Sequence, residues 1–136
     1  MQFIPWEWTP NERVGPFVFG SPIAPVQQEY GLILLEPDSE TDDWDTYIIP
    51  DYESRVYAEN DKITDVGCND KLIYQGRNLL GRTVELAKRL FGDPDVIEYN
   101  DGPVPSIYQY DRFGLMVFVI DQRIDSASCA GVFDEN

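Results

Sequence analysis

Gly76-Arg77-Asn78-Leu79-Leu80-Gly81-Arg82-Thr83-Val84 begins the stretch whose reading decides the fold, a segment that runs on through Gly92 and closes at Cys129. Residues 15–68 read as a diverged copy of it. Slid by 61 positions without a gap, Gly15, Gly20 and Gly31 fall on Gly76, Gly81 and Gly92. Tyr47 falls on Tyr108, Val56 on Val117, Ile63 on Ile124 and Cys68 on Cys129. Aromatic and basic near-matches lie between them: Tyr30 with Phe91, Tyr52 with Phe113, Tyr57 with Phe118 and Lys62 with Arg123. Glycines, a cysteine and apolar positions set backbone geometry and core, so the coincidence reads as a duplication.

In the later copy, Thr83 is placed to cap a helix over Val84–Phe91. Its apolar residues Val84, Ala87, Leu90 and Phe91 recur at helical spacing on one face. Lys88 and Arg89 stand where the helix dipole favours cations, and Gly92 supplies the stop. Strands are expected at 96–99, 107–110, 115–120 and 123–129, with turns at Asn100-Asp101-Gly102-Pro103 and Asp121-Gln122. In the earlier copy, Ser21-Pro22 reads as a helix start and Gly31 as its end. Leu32-Ile33-Leu34-Leu35 reads as a buried strand or, by periodicity, equally as a helical continuation, and strands follow at 47–49, 56–59 and 62–68. Each copy is thus a helix followed by an antiparallel meander. The expected class is α+β: two tandem helix-plus-meander repeats, about 14–70 and 75–131, with their strands side by side or face to face, sharing one core within a single domain. An aromatic, proline-bearing arm at 1–13 precedes them, and its Trp6 and Trp8 are expected to pin it to that domain.

A chain of 136 residues with 43% hydrophobic content is long and apolar enough to fold around its own core. No run approaches the ~20 apolar residues of a membrane span, and Met1 to Trp8 lacks the basic start and apolar core of a secretory signal, so a cytoplasmic protein is expected. The formal charge of −15 argues against nucleic acid and anionic membrane as partners, since both would be repelled. That charge is uneven. Residues 1–70 hold 15 acids and 3 bases, whereas residues 71–136 hold 10 acids and 7 bases. A surface charged only for solubility needs no such asymmetry.

Catalytic and metal motifs are sparse. Histidine is absent, which removes the commonest general base and the commonest metal ligand together. An EF-hand loop begun at Asp38 fails at Asp43 and Ile49, and Asp42, Asp43 and Asp45 remain at most a loose divalent-cation set. No nucleophile elbow or phosphate loop occurs. A non-enzymatic protein without cofactors is expected. Two readings of Cys68 and Cys129 stand: small buried thiols, or a disulfide tying the two copies.

What remains is a surface. From Glu36 to Glu53 there are eight acids and no base, with Trp44, Tyr47 and Tyr52 interspersed and Tyr57 just beyond. Carboxylates steer a cationic partner, and aromatics supply desolvated anchors. Asp38, Glu40, Asp42, Asp43, Trp44, Asp45, Asp51, Tyr52 and Glu53 are therefore the expected partner-binding residues. The bland alternative is a solubilising acidic loop whose aromatics turn inward.

Gly76-Arg-Asn-Leu-Leu-Gly81, the Thr83–Gly92 helix, Tyr108 and the Val117–Cys129 hairpin together resemble the small acidic immunity proteins of bacterial polymorphic and contact-dependent toxin systems. The tandem helix-plus-meander plan is also similar to that of the β-lactamase-inhibitor-protein fold. The resemblance implies a monomer or weak homodimer that binds and neutralises one cognate basic toxin, often a nuclease. It transfers no functional residue. A structural or regulatory protein-interaction module is the alternative reading.

Overall fold

Residues 4–35 and 44–131 of the chain are described by a computed structural model. Its elements follow the local chemistry of the sequence closely. Three two-residue strands come first, β1 (Trp8–Thr9), β2 (Arg13–Val14) and β3 (Phe17–Val18), then α1 (Ala24–Tyr30) and β4 (Ile33–Leu34). A meander of β5 (Asp45–Ile48), β6 (Arg55–Glu59) and β7 (Lys62–Cys68) follows. A small ribbon, β8 (Ile73–Tyr74) and β9 (Arg77–Asn78), leads into α2 (Val84–Phe91). The chain then runs through β10 (Val96–Glu98), β11 (Ser106–Tyr110), β12 (Leu115–Ile120) and β13 (Arg123–Ala130).

The expected α+β architecture of two helix-plus-meander repeats is overturned. The protein is mostly β, built on one eight-stranded antiparallel sheet in the order β10-β11-β12-β13-β7-β6-β5-β4. The physical reason lies at β7 and β13. Each is the last strand of a meander and would be an exposed edge, but they pair with each other and fuse the strands into a single sheet. The helices are short and unequal: α1 has seven residues and buries none of them, whereas α2 has eight and buries Val84, Ala87 and Phe91.

The 61-residue spacing relates strands of this one sheet. Tyr57 pairs with Asp65 and Phe118 with Ser126, and a bulge follows each of these aromatics. Both hairpins close on two residues with positive φ, Asn60-Asp61 and Asp121-Gln122, the backbone that twisted two-residue hairpins require. The Gly20 amide donates to the Ile63 carbonyl and the Gly81 amide to Ile124, both at 2.7 Å. Between the halves, Gly67 stands opposite Ser128, and the spacing maps this pair onto itself. The Gly67–Ser128 pair is therefore the centre about which the two halves are arranged.

Strand alternation gives the sheet two unlike faces. One carries Tyr47, Val56, Ala58, Ile63, Val66 and Cys68 from the first half. From the second it carries Tyr108, Tyr110, Leu115, Val117, Ile124, Ala127 and Cys129, and all of these are buried. They share one core cluster with residues 4–32, with Leu72 and Leu79, and with Val84, Ala87 and Phe91 of α2. Trp6 and Trp8 are buried in it, so the N-terminal segment is pinned. Trp8, Tyr74, Tyr110 and Phe113 all place their rings within 6 Å of Phe91. Gly15 lets this segment close: a side chain there would overlap the Pro5 carbonyl, and its φ of +55° is left-handed.

Two local expectations are corrected. The first helix starts at Ala24 with Pro25 in its first turn, where proline's missing N–H costs nothing, and Ser21-Pro22 instead bridges to Lys62. The strand expected to be buried at 32–35 is the outermost of the sheet, with Ile33 and Leu34 each about half exposed. The cysteines are free thiols. Cys68 lies opposite Ala127 and Cys129 opposite Val66, so the two are diagonal neighbours on the covered face of the sheet. Burial pushes the Cys129 thiol well above its ordinary pKa, and its hydrogen-bonded contact with Cys68 pushes the same way.

Candidate functional site

The second face of the sheet has no layer over it among the described residues. Residues alternating with the buried set point this way: Thr46 and Ile48 on β5, Arg55, Tyr57 and Glu59 on β6, and Asp65 and Gly67 on β7. Across the centre they are continued by Ser126, Ser128 and Ala130, then by Met116, Phe118 and Ile120, and by Ile107 and Gln109. Apart from Arg55 and Glu59, which are exposed, these side chains are partly buried against one another.

At the β5–β7 end this face forms a concavity of about 410 Å³ lined by Trp44, Tyr57, Glu59, Thr64 and Asp65. Trp44 immediately precedes β5 and is 51% exposed. Tyr57 leans across the centre of the sheet: a methyl group on Gly67 would meet its Cε2 at 3.3 Å. A larger residue at 67 would thus press on the ring. Thr64 is the extra residue of the bulge, and its hydroxyl donates to the Tyr57 carbonyl at 3.3 Å. Among the described aromatic rings, neither Trp44 nor Tyr57 stacks on another. Among the described residues, neither Glu59 nor Asp65 has a cation within ion-pair distance, although Glu59 faces Lys62 across the hairpin.

The residues expected from sequence divide three ways. Asp38, Glu40, Asp42 and Asp43 lie outside the described residues. Trp44 is on the open face as expected, but Asp45, the next residue, pairs with Ala58 and so points to the opposite side. There Asp45 and Asp61 reinforce burial in raising the pKa of the Tyr47 phenol, and Tyr47 is a core residue, not a surface aromatic. Asp51, Tyr52 and Glu53 sit at the far end of the β5–β6 hairpin from Trp44. Tyr52 packs edge-on against Trp6 at 5.3 Å, and its hydroxyl accepts the Ile4 amide at 3.4 Å. Asp70 organises this turn. Its carboxylate accepts the Glu53 and Ser54 amides and the Ser54 hydroxyl, the last at 2.6 Å. The described members of the acidic run, Asp45, Asp51 and Glu53, thus do not form one patch with Trp44.

Sequence reading passed over Glu59, Thr64 and Asp65. Attention to the dense run at 36–53 hid them, although strand alternation over 55–59 and 62–68 puts Tyr57, Glu59 and Asp65 on one side once the two strands pair. Among the described residues, no three Cys, Asp or Glu side chains converge as a metal site would need.

No protein-family model matches the chain, and no curated protein matches it. Among solved structures, the fold is similar to that of a DUF4309 family protein (YjgB) from Bacillus subtilis, with a TM-score of 0.55. The two are 15% identical, and the match covers 88% of this chain and 84% of that one. At that identity the likeness establishes a common fold alone.

Proposed function

We propose that the chain is a binding protein that docks a cationic protein partner on the open face of its sheet, and that its use is to neutralise that partner, as an immunity protein neutralises a basic toxin. One observation carries this reading: a sheet face with no layer over it among the described residues ends in a concavity, where an exposed tryptophan and a tyrosine stand beside two carboxylates that have no ion-pair partner among those residues. Half-buried apolar residues across the rest of the face supply desolvatable area. The chain's −15 charge steers a basic protein towards it and repels polyanions. No described helix is long and apolar enough to cross a membrane. A cytoplasmic site of action is part of this proposal.

Co-expression with the gene lying beside its own tests the reading. Rescue of growth from a lethal neighbour is expected, with 1:1 binding whose association rate falls steeply between low and physiological salt. Absence of rescue, or association indifferent to salt, would refute it.

A further inference from the structure

The concavity at the β5–β7 end has a chemistry more specific than its charge. Its walls are two aromatic rings, Trp44 and Tyr57, that line one space without stacking on each other. Its rim carries Glu59 and Asp65. Lys62 stands across the hairpin from Glu59 but is not within ion-pair distance of it, so among the described residues both carboxylates are free for an incoming cation. A space bounded by π-faces and carboxylates favours a group that is flat, positively charged and rich in donors. The guanidinium of arginine has all three properties: it stacks on aromatic faces and donates paired hydrogen bonds to carboxylates. A lysine ammonium would satisfy the charge but lacks the planar surface and the paired donors.

The fold does not require this chemistry. The positions bearing the same register relation in the other half are Phe118 for Tyr57, Ile120 for Glu59 and Ser126 for Asp65. There the same frame carries an uncharged surface at these three positions, and a carboxylate only at the bulge, where Asp125 is the counterpart of Thr64. Gly67, whose counterpart is Ser128, gives the Tyr57 ring its room. The difference between the halves is therefore one of side chains, laid over a shared backbone.

From this we infer that the concavity formed by Trp44, Tyr57, Glu59, Thr64 and Asp65 is a receptor for an arginine side chain, which the partner inserts as its anchor. The inference rests on the docking proposal above for its partner, but the pocket is testable alone. The probe is N-acetyl-arginine methylamide, with the N-acetyl-citrulline analogue as the neutral isostere, each titrated at constant ionic strength into the full chain. The indole N–H resonance of Trp44 reports binding, and the buried Trp6 and Trp8 serve as internal controls. A saturable shift of Trp44 is expected with the arginine probe and none with citrulline. The double variant Glu59→Gln, Asp65→Asn should bind about tenfold more weakly, as the loss of two solvent-exposed ion pairs implies. Equal responses to the two probes, no saturable response to arginine, or an unaffected double variant would overturn the assignment. The two proposals fail separately. If the cognate partner binds the double variant as tightly as wild type, the arginine pocket falls and docking stands. If the probe saturates but no cationic protein is bound, the pocket stands and docking falls.

Discussion

The two halves of the sheet share strand order, hairpin types and bulge positions, each strand of the second half being one residue longer, yet they present opposite chemistry to solvent. Beside β6, the open face shows Trp44, Tyr57, Glu59 and Asp65. Beside β12, it shows Ile107, Met116, Phe118 and Ile120. On the covered face the halves converge again: Val56 and Val117 are both fully buried, as are Ile63 and Ile124, and Cys68 and Cys129. The backbone and the core answer to the same physics on both sides, while the outer face is free to differ. Differences there are where binding specificity is to be sought.

The largest contrast expected inside the molecule is between the helices. Phe91 of α2 is buried against Trp8, Tyr74, Tyr110 and Phe113, whereas Tyr30, 61 residues earlier, keeps a partly exposed ring that touches Phe17 at 6.1 Å. Phe91→Ala should cost about 3–5 kcal/mol, the usual range for emptying a buried aromatic site. Tyr30→Ala should cost about 1 kcal/mol, because less area is withdrawn from water. Urea unfolding of the two variants measures both. Equal costs would mean that the two helices support the core alike, and the asymmetry argued here would be gone.

A smaller contrast is pH-dependent. Tyr110 takes the place that Ile49 holds in the first half; both are buried, but only the tyrosine brings a hydroxyl, and that hydroxyl has no hydrogen-bond partner among the described residues. Burial, followed by the nearby Tyr108 and Asp93, pushes its pKa from 10 up to about 12. The folded state thus favours the neutral phenol. Stability from this group is complete below pH 10 and is lost as the pH climbs towards 12. The loss is on the order of 2–3 kcal/mol. Tyr110→Phe should flatten that alkaline limb and change stability by less than about 1 kcal/mol at pH 7, since it removes a buried unpaired hydroxyl. An unchanged alkaline transition in Tyr110→Phe would mean that another group governs it.

How far the sequence could disclose these features follows from the range of the forces involved. Helical spacing in 84–91 and alternation in 115–120 are local, and both elements have the limits expected for them. The union of β7 with β13 is not local: nothing in Lys62–Cys68 says which strand will cover its free edge, so the sequence does not choose between meanders placed side by side and face to face. The site shows the same boundary. Trp44 was visible as an aromatic among acids. Its neighbour Asp45 lost its assigned place because the sign of strand alternation depends on which face is covered. Asp65 became visible only through its pairing with Tyr57.

The finest contrast concerns the outer face itself. Replacing Glu59 by Ile and Asp65 by Ser gives β6 and β7 the side chains that their counterparts Ile120 and Ser126 already carry on the same backbone. Surface substitutions away from caps and cores usually stay within about 0.5 kcal/mol, and neither carboxylate has a hydrogen bond or ion pair among the described residues to lose. Glu59→Ile, Asp65→Ser should therefore melt as wild type does, while the response of Trp44 to the arginine probe disappears. Stability and recognition would then be separable on one frame, with the core written by the buried face and the partner by the open one. A clear loss of stability in that variant would show instead that the two carboxylates hold the β6–β7 bulge, and that the halves differ for structural reasons.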